Sequence, residues 1–258
     1  MSPMEERILQ TQIIYGPVNS RRLGRSLGVN ILPTERKVCS FDCLYCQYGF
    51  AEVHYTRSEL EGMKLPVPEE VAVALSDALA ATGDMDAITL AGNGEPTLHP
   101  YFRQIAEAVS QVGKRTRPEV PLCILSNSST VSEVSVQAGL GFIDRKIMKL
   151  DVGREDTFRK VNRPRAGITL KKIVDGLARL GNVEIQSLFF SGPVSNTSPQ
   201  EITAWIEQLE RIKPVAVQIY TTDRVPADRG VKPVERAELE RIADEARSRL
   251  VDAEVRVF

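Results

Sequence analysis

Six short apolar runs each give way to a stretch of helical periodicity, and this alternation most constrains what the chain can fold into. The runs fall at 27–32, 87–91, 122–126, 143–152, 183–190 and 215–220. Val71, Ala74, Leu75, Ala78 and Leu79 share one face of a helix predicted over 68–82. Phe102, Ile105, Ala106, Val109 and Val112 repeat the pattern over 101–113, and Leu170, Ile173, Val174, Leu177 and Leu180 over 170–180. Ile202, Trp205, Ile206, Leu209 and Ile212 mark another helix, and Leu239, Ile242, Ala243, Ala246 and Leu250 a last one over 234–250. Ser198-Pro199-Gln200-Glu201 supplies a cap, a first-turn proline and a capping-box glutamate. Thr130-Val131-Ser132-Glu133 has the same Thr-x-x-Glu form and predicts a short helix over 131–138. Such alternation implies a parallel sheet with crossover helices, either an open doubly wound sheet or an incomplete barrel. Both place ligands at the C-terminal ends of the strands.

The 258 residues read as one domain, with a lead-in over 1–23 and a closing loop and helix over 221–258. A chain this long can bury a core without disulfides. The stretch 221–233 is rich in Pro, Gly and charge and reads as a lid or a surface loop. Lys and Arg total 33 against 34 Asp and Glu, for a net charge of −1. That balance argues against a dedicated nucleic-acid or membrane-surface protein. Residues 1–7 lack the basic start and apolar run of a signal peptide, so a cytoplasmic location with no membrane partner is expected.

Cysteines stand at 39, 43, 46 and 123. The first three form a C-x3-C-x2-C string just after the first predicted strand. In a reducing compartment such a cluster points to metal before disulfides. Thiolates suit zinc or iron–sulfur clusters. A structural zinc needs a fourth ligand, for which His54, His99 and Cys123 are the available residues. A [4Fe–4S] cluster on three thiolates would leave one iron open.

Cys39, Cys43 and Cys46, with the aromatic Tyr45 before the last cysteine, resemble the signature of the radical S-adenosylmethionine (SAM) superfamily. The resemblance implies a partial (β/α)6 TIM-like barrel of parallel strands with outer helices. It also implies an enzyme whose [4Fe–4S] cluster binds SAM at its open iron. An electron from the cluster then gives methionine and a 5′-deoxyadenosyl radical that takes a hydrogen from a substrate. The partners implied are an electron donor of the flavodoxin or ferredoxin type and an unidentified substrate. The alternatives are a zinc-stabilised, non-catalytic binding module and an activase acting on a partner protein.

The second strand ends in Gly92-Asn93-Gly94-Glu95-Pro96-Thr97, which looks like the superfamily's GGE motif, where backbone and acid hold the SAM ammonium. The third ends at Ser126 and Asn127, for which the resemblance implies SAM contacts and turn chemistry offers the plain alternative. On the fourth, Lys149 and Asp151 share a face and are expected to pair, or to meet SAM and substrate. Arg163 downstream could clamp an anion or sit on the surface. Gln186 on the fifth strand, and Gln218 and Tyr220 on the sixth, are expected to face inward. Arg21, Arg22 and Arg25 before the first strand could bind phosphate or carboxylate, or form a solvated turn. This whole pattern resembles the radical SAM group related to wybutosine synthesis. That group carries further cysteines for a second cluster, which Cys123 alone cannot supply. RNA is a partner that the balanced charge does not support.

Overall fold

The computed structural model describes residues 9–258. The stretch read as lacking a signal peptide, and the start of the expected lead-in, lie outside the described residues. An antiparallel hairpin opens the fold, β1 (Ile14–Ser20) against β2 (Gly24–Val29). β2 then pairs in parallel with β3 (Ala87–Leu90), and the ladder continues through β4 (Leu122–Ser126), β5 (Arg145–Lys149), β6 (Glu184–Ser191) and β7 (Ala216–Thr221). Two further strands follow: β8 (Lys232–Pro233) pairs antiparallel with β6, and β9 (Glu254–Val257) pairs in parallel with β7. β1 lies at one edge and β9 at the other. The two edges do not pair, so the barrel is partial, as expected.

The six predicted strands correspond to β2 through β7, and the departures have local causes. The first was placed at 27–32 but ends at Val29. The Asn30 side chain bonds both the N–H and the carbonyl of Leu32 and turns the chain out of the ladder. The fourth was placed at 143–152 but pairs only over Arg145–Lys149. β1 escaped notice because Pro17 interrupts it, and the register shifts between Tyr15 and Val18. An edge strand tolerates both. β9 was read as tail. The expected lead-in and C-terminal segment therefore carry sheet strands.

The helices cover the outside of the sheet: α1 (Arg57–Leu60), α2 (Pro68–Ala81), α3 (Phe102–Thr116), α4 (Val134–Leu140), α5 (Glu155–Val161), α6 (Leu170–Leu180), α7 (Pro199–Ile212) and α8 (Arg236–Arg249). Their buried stripes are the apolar faces read from the sequence; Trp205, Ile105 and Val174 are wholly enclosed. Ser198 caps α7 through the Glu201 N–H, as its string predicts. Thr130 does not cap α4. That helix starts three residues later than expected, with Glu133 at its cap, and the Thr130 hydroxyl pairs with Thr97 inside the fold.

Inside the barrel, Leu23, Ala87, Cys123 and Ile147 form a separate apolar floor. Alternation puts Arg145, Ile147 and Lys149 on one face of β5. Gly153 meets α7 so closely that a Cβ there would stand 2.0 Å from the Ala204 carbonyl carbon. Gly153→Ala must push α7 outward. It is expected to lower unfolding free energy by about 1–3 kcal/mol, read from urea denaturation.

Candidate functional site

The cysteine loop is laid across the mouth of the barrel by backbone pairing. Val38 N–H donates to the Asn93 carbonyl, and Glu95 N–H donates back to the Val38 carbonyl, at 2.8 and 2.9 Å. Gly94 makes this contact feasible: its φ is +142°, and a Cβ would fall 1.7 Å from the Val38 oxygen. Further along, Asp42 N–H and Leu44 N–H donate to the carbonyls of Asn162 and Val161, behind α5. The Asp42 carboxylate accepts from Ala51 N–H and from Lys37 Nζ, which also reaches the Gly49 carbonyl.

The loop presents Cys39, Cys43, Tyr45 and Cys46 to a cavity of about 470 Å³ at the C-terminal ends of the strands. Gly92, Gly94, Glu95, Ser126, Asn127, Lys149 and Gln186 line the same cavity. Eleven residues expected at the site from sequence thus meet in one place. Burial pushes the Cys39 thiol up to about 12. Burial, with the Asp151 carboxylate nearby, pushes the Cys43 thiol up to about 11. Each of these sulfurs faces an amide donor: Asn127 Nδ2 lies 3.4 Å from Cys39 Sγ, and Asn162 Nδ2 lies 3.4 Å from Cys43 Sγ.

Glu95 is almost wholly buried, and four protein donors meet its carboxylate. Thr97 N–H and Oγ and Ser126 Oγ donate to Oε1, and the Asn127 N–H donates to Oε2. Burial raises its pKa above the ordinary value even against those bonds. Oε2 accepts one bond and so keeps acceptor capacity toward the cavity.

The model of the radical SAM superfamily matches residues 37–209. The chain belongs to the radical SAM superfamily. Its relatives include a UPF0026 protein of Synechocystis, 33% identical over 82% of this chain and 76% of that protein. Another is a protein of Brachyspira hyodysenteriae named GTPase Obg, 32% identical over 90% of this chain but only 33% of that protein. Among solved structures, a radical SAM methyltransferase from Sphaerobacter thermophilus superposes with TM-score 0.59 at 12% identity, over 90% of this chain and 66% of that one. TYW1 with a lysine–pyruvate adduct bound superposes with TM-score 0.56 at 14% identity, over 87% and 73%. These structures share the fold.

The donor set fits the superfamily's cluster. Among the described residues, no three His, Cys, Asp or Glu side chains stand close enough to share one ion. The three thiols line one cavity, and thiolates are the side chains that hold a [4Fe–4S] cluster. None of the residues considered as a fourth ligand joins them. Cys123 lies in the floor, His99 is buried elsewhere with its Nδ1 accepting from Tyr101 N–H, and His54 stands 3.8 Å from Asp42. No second cysteine site exists among the described residues.

Several sequence expectations need correction. Asn93 does not face the cavity. Its side chain joins Gln10 to Pro33, accepting from Gln10 N–H and donating to both carbonyls. Asp151 does not line the cavity either. It stands behind the wall, accepting from Tyr45 OH, Asn162 Nδ2 and Leu188 N–H, with Lys149 Nζ 3.6 Å away. It is therefore a positioning residue. Lys149 does reach the cavity, donating to Tyr220 OH at 3.1 Å. Burial opposes the Lys149 charge, and the Asp151 carboxylate, with Tyr220 and the Cys43 sulfur, together holds the ammonium above its ordinary pKa. Arg163 lies over the exposed Phe50 ring, away from the cavity. Gln186 accepts from Arg22, and Gln218 donates to Glu184 behind it.

Asn162, Lys37 and Tyr15 were not singled out as site residues. The one available signal for Asn162 was a polar residue at the end of a short amphipathic helix, which reads equally as a cap. The 221–233 loop proves to be wall. Thr222, Asp223 and Arg224 line the cavity, and Asp228 N–H donates to the Leu44 carbonyl of the cysteine loop.

Two outcomes follow from these buried charges. Asp151→Ala leaves the Lys149 ammonium without its acid and should destabilise the fold by about 3–5 kcal/mol, measured by chemical denaturation of the metal-free protein. Glu184 is pulled below its ordinary value of 4.5: burial would raise it, and the Arg145 guanidinium overrides that. Between the two values the unfolded chain binds more protons, so this contribution is full above the ordinary value and lost as pH falls through the folded one. Unfolding midpoints taken from pH 6 down to 3 should fall less steeply in Glu184→Gln than in wild type.

Proposed function

We propose that this chain is an enzyme that holds a [4Fe–4S] cluster on Cys39, Cys43 and Cys46 and cleaves SAM reductively, so that a substrate hydrogen is abstracted. The observation that carries the reading is the convergence of the three thiols, Tyr45, and the Gly92 to Glu95 turn on one 470 Å³ cavity. When bound, cluster and SAM supply the electron transfer, carbon–sulfur cleavage and radical chemistry of the superfamily. The protein's own contribution is to bind and orient.

The φ of +152° at Gly92 and +142° at Gly94 brings bare backbone to the cavity edge, where the SAM amino group can approach. Glu95 Oε2 supplies negative charge at the same edge. Tyr45 is fixed by its bond to Asp151 and presents its ring face, with Lys149 Nζ 5.1 Å from the ring centre. Ser126 and Asn127 act through Glu95 and Cys39 rather than as free ligands. The Phe41 and Leu188 side chains and the 221–233 wall keep water from the space between the thiols and the far wall.

The electron donor we assign is of the flavodoxin or ferredoxin type, and a reducing cytoplasm suits four unpaired cysteines. No helix among the described residues is long and apolar enough to cross a membrane.

Protein reconstituted without air should contain about four irons per chain and, with SAM and dithionite, release 5′-deoxyadenosine. Cys43→Ala should lose the iron altogether. One zinc and no iron–sulfur absorbance would instead support the metal-binding module. Glu95→Gln keeps the cluster ligands but places an amide N–H against the Asn127 N–H. Calorimetric titration at matched iron content should show SAM affinity weakened roughly ten- to hundredfold. Equal affinities would remove Glu95 from SAM binding.

A further inference from the structure

The wall facing away from the thiols carries a cation that no carboxylate among the described residues neutralises. Five basic residues line the cavity, Arg21, Arg22, Lys37, Lys149 and Arg224, against the two acids Glu95 and Asp223. Lys37 lies 3.1 Å from Asp42, Lys149 lies 3.6 Å from Asp151, and Arg21 lies 2.9 Å from Asp223. Lys37 and Lys149 also sit in the field of the cysteine sulfurs, so both belong to the cluster end. Arg224 is exposed and solvated.

Arg22 differs from all of these. It enters from the β1–β2 turn, lays its guanidinium 4.4 Å from the centre of the Tyr220 ring, and is only partly exposed. Its NH1 donates to two neutral acceptors, Gln186 Oε1 at 2.6 Å and Gln218 Oε1 at 3.5 Å. Among the described residues no carboxylate reaches ion-pair distance, and Nε and NH2 make no hydrogen bond. A partly desolvated guanidinium with an open donor edge is costly unless a partner arrives. Its planar fork matches carboxylate and phosphate oxygens, and the aromatic ring beneath fixes its orientation.

We propose that Arg22, held flat on Tyr220 by Gln186 and Gln218, is the anion-binding subsite for the substrate, which therefore carries a carboxylate or phosphate group. That the anion belongs to the substrate rests on the radical SAM reading above; the subsite itself does not. The same placement orients the substrate. With its charged group at Arg22, the remainder of the molecule extends across the cavity toward the SAM edge at Gly92 to Glu95, where the hydrogen is taken.

The test uses the full chain, with inorganic phosphate and malonate as separate probes in calorimetric titration. Wild type should bind at least one of them, and the one that binds tells which anion the site prefers. Arg22→Gln should weaken that binding roughly ten- to hundredfold while SAM affinity of the reconstituted protein stays the same. Should Arg22→Gln fail to fold, phenylglyoxal labelling of wild type decides: the bound probe should shield Arg22, read by peptide mass spectrometry. Failure of wild type to bind either probe, equal probe affinities in the variant, or unshielded Arg22 would overturn the subsite. An equal loss of SAM affinity in Arg22→Gln would overturn it too, by assigning the guanidinium to the SAM carboxylate. Wild type that binds the probe through Arg22 but never binds SAM would leave the subsite standing and sink the radical SAM reading instead.

Discussion

One buried carboxylate holds the mouth of this barrel together. Glu95 takes hydrogen bonds from Thr97, Ser126 and the Asn127 backbone, and its own N–H is pinned to Val38. It thus joins the end of β3 to the end of β4 and to the start of the cysteine loop. Through the same Asn127, it is one residue removed from the Nδ2 that faces Cys39 Sγ. A carboxylate deprived of water is tolerable only when its lone pairs are met. Here the four donors that meet them come from two separate segments, 97 and 126–127, so satisfying the charge and assembling the site are one event.

A second hub does the same for the far side of the loop. Asp151 collects Tyr45 OH, Asn162 Nδ2, Leu188 N–H and the Lys149 charge. Asn162 also faces Cys43 Sγ. The two hubs share one feature: each sets an asparagine between a buried acid and a sulfur, Asn127 between Glu95 and Cys39 and Asn162 between Asp151 and Cys43. Two of the three thiols thus face neutral amide donors.

Much of this was legible in the sequence because the signals are short-range. Three cysteines within eight residues must share a loop, and a strand followed by Gly92 to Thr97 must turn there. The same-face rule placed Lys149 with Asp151 and brought Gln186 to the interior. What was hidden depends on which neighbour a polar residue finds. Asn93 sits between two cavity glycines, yet its side chain points the other way, to Gln10 and Pro33. Ser126 and Asn127 are bound up as turn residues and line the cavity at once, so the two readings of them were never exclusive. β1 was hidden because Pro17 and a register shift spoil its alternation. With it was hidden the reason that one of three neighbouring arginines enters the barrel.

That hairpin changes what the barrel can do. Without β1, the sheet would begin at β2 and its open side would face solvent directly. With it, the turn at 21–23 sends Leu23 into the floor, Arg22 onto the Tyr220 ring, and Arg21 to Asp223 on the 221–233 wall. Three consecutive residues therefore tie the hairpin turn to the barrel in three ways, one apolar, one stacked and one ionic. The exposed Arg21 pair contributes little to stability. The Leu23 contact is the anchor, because it alone buries apolar surface on the floor.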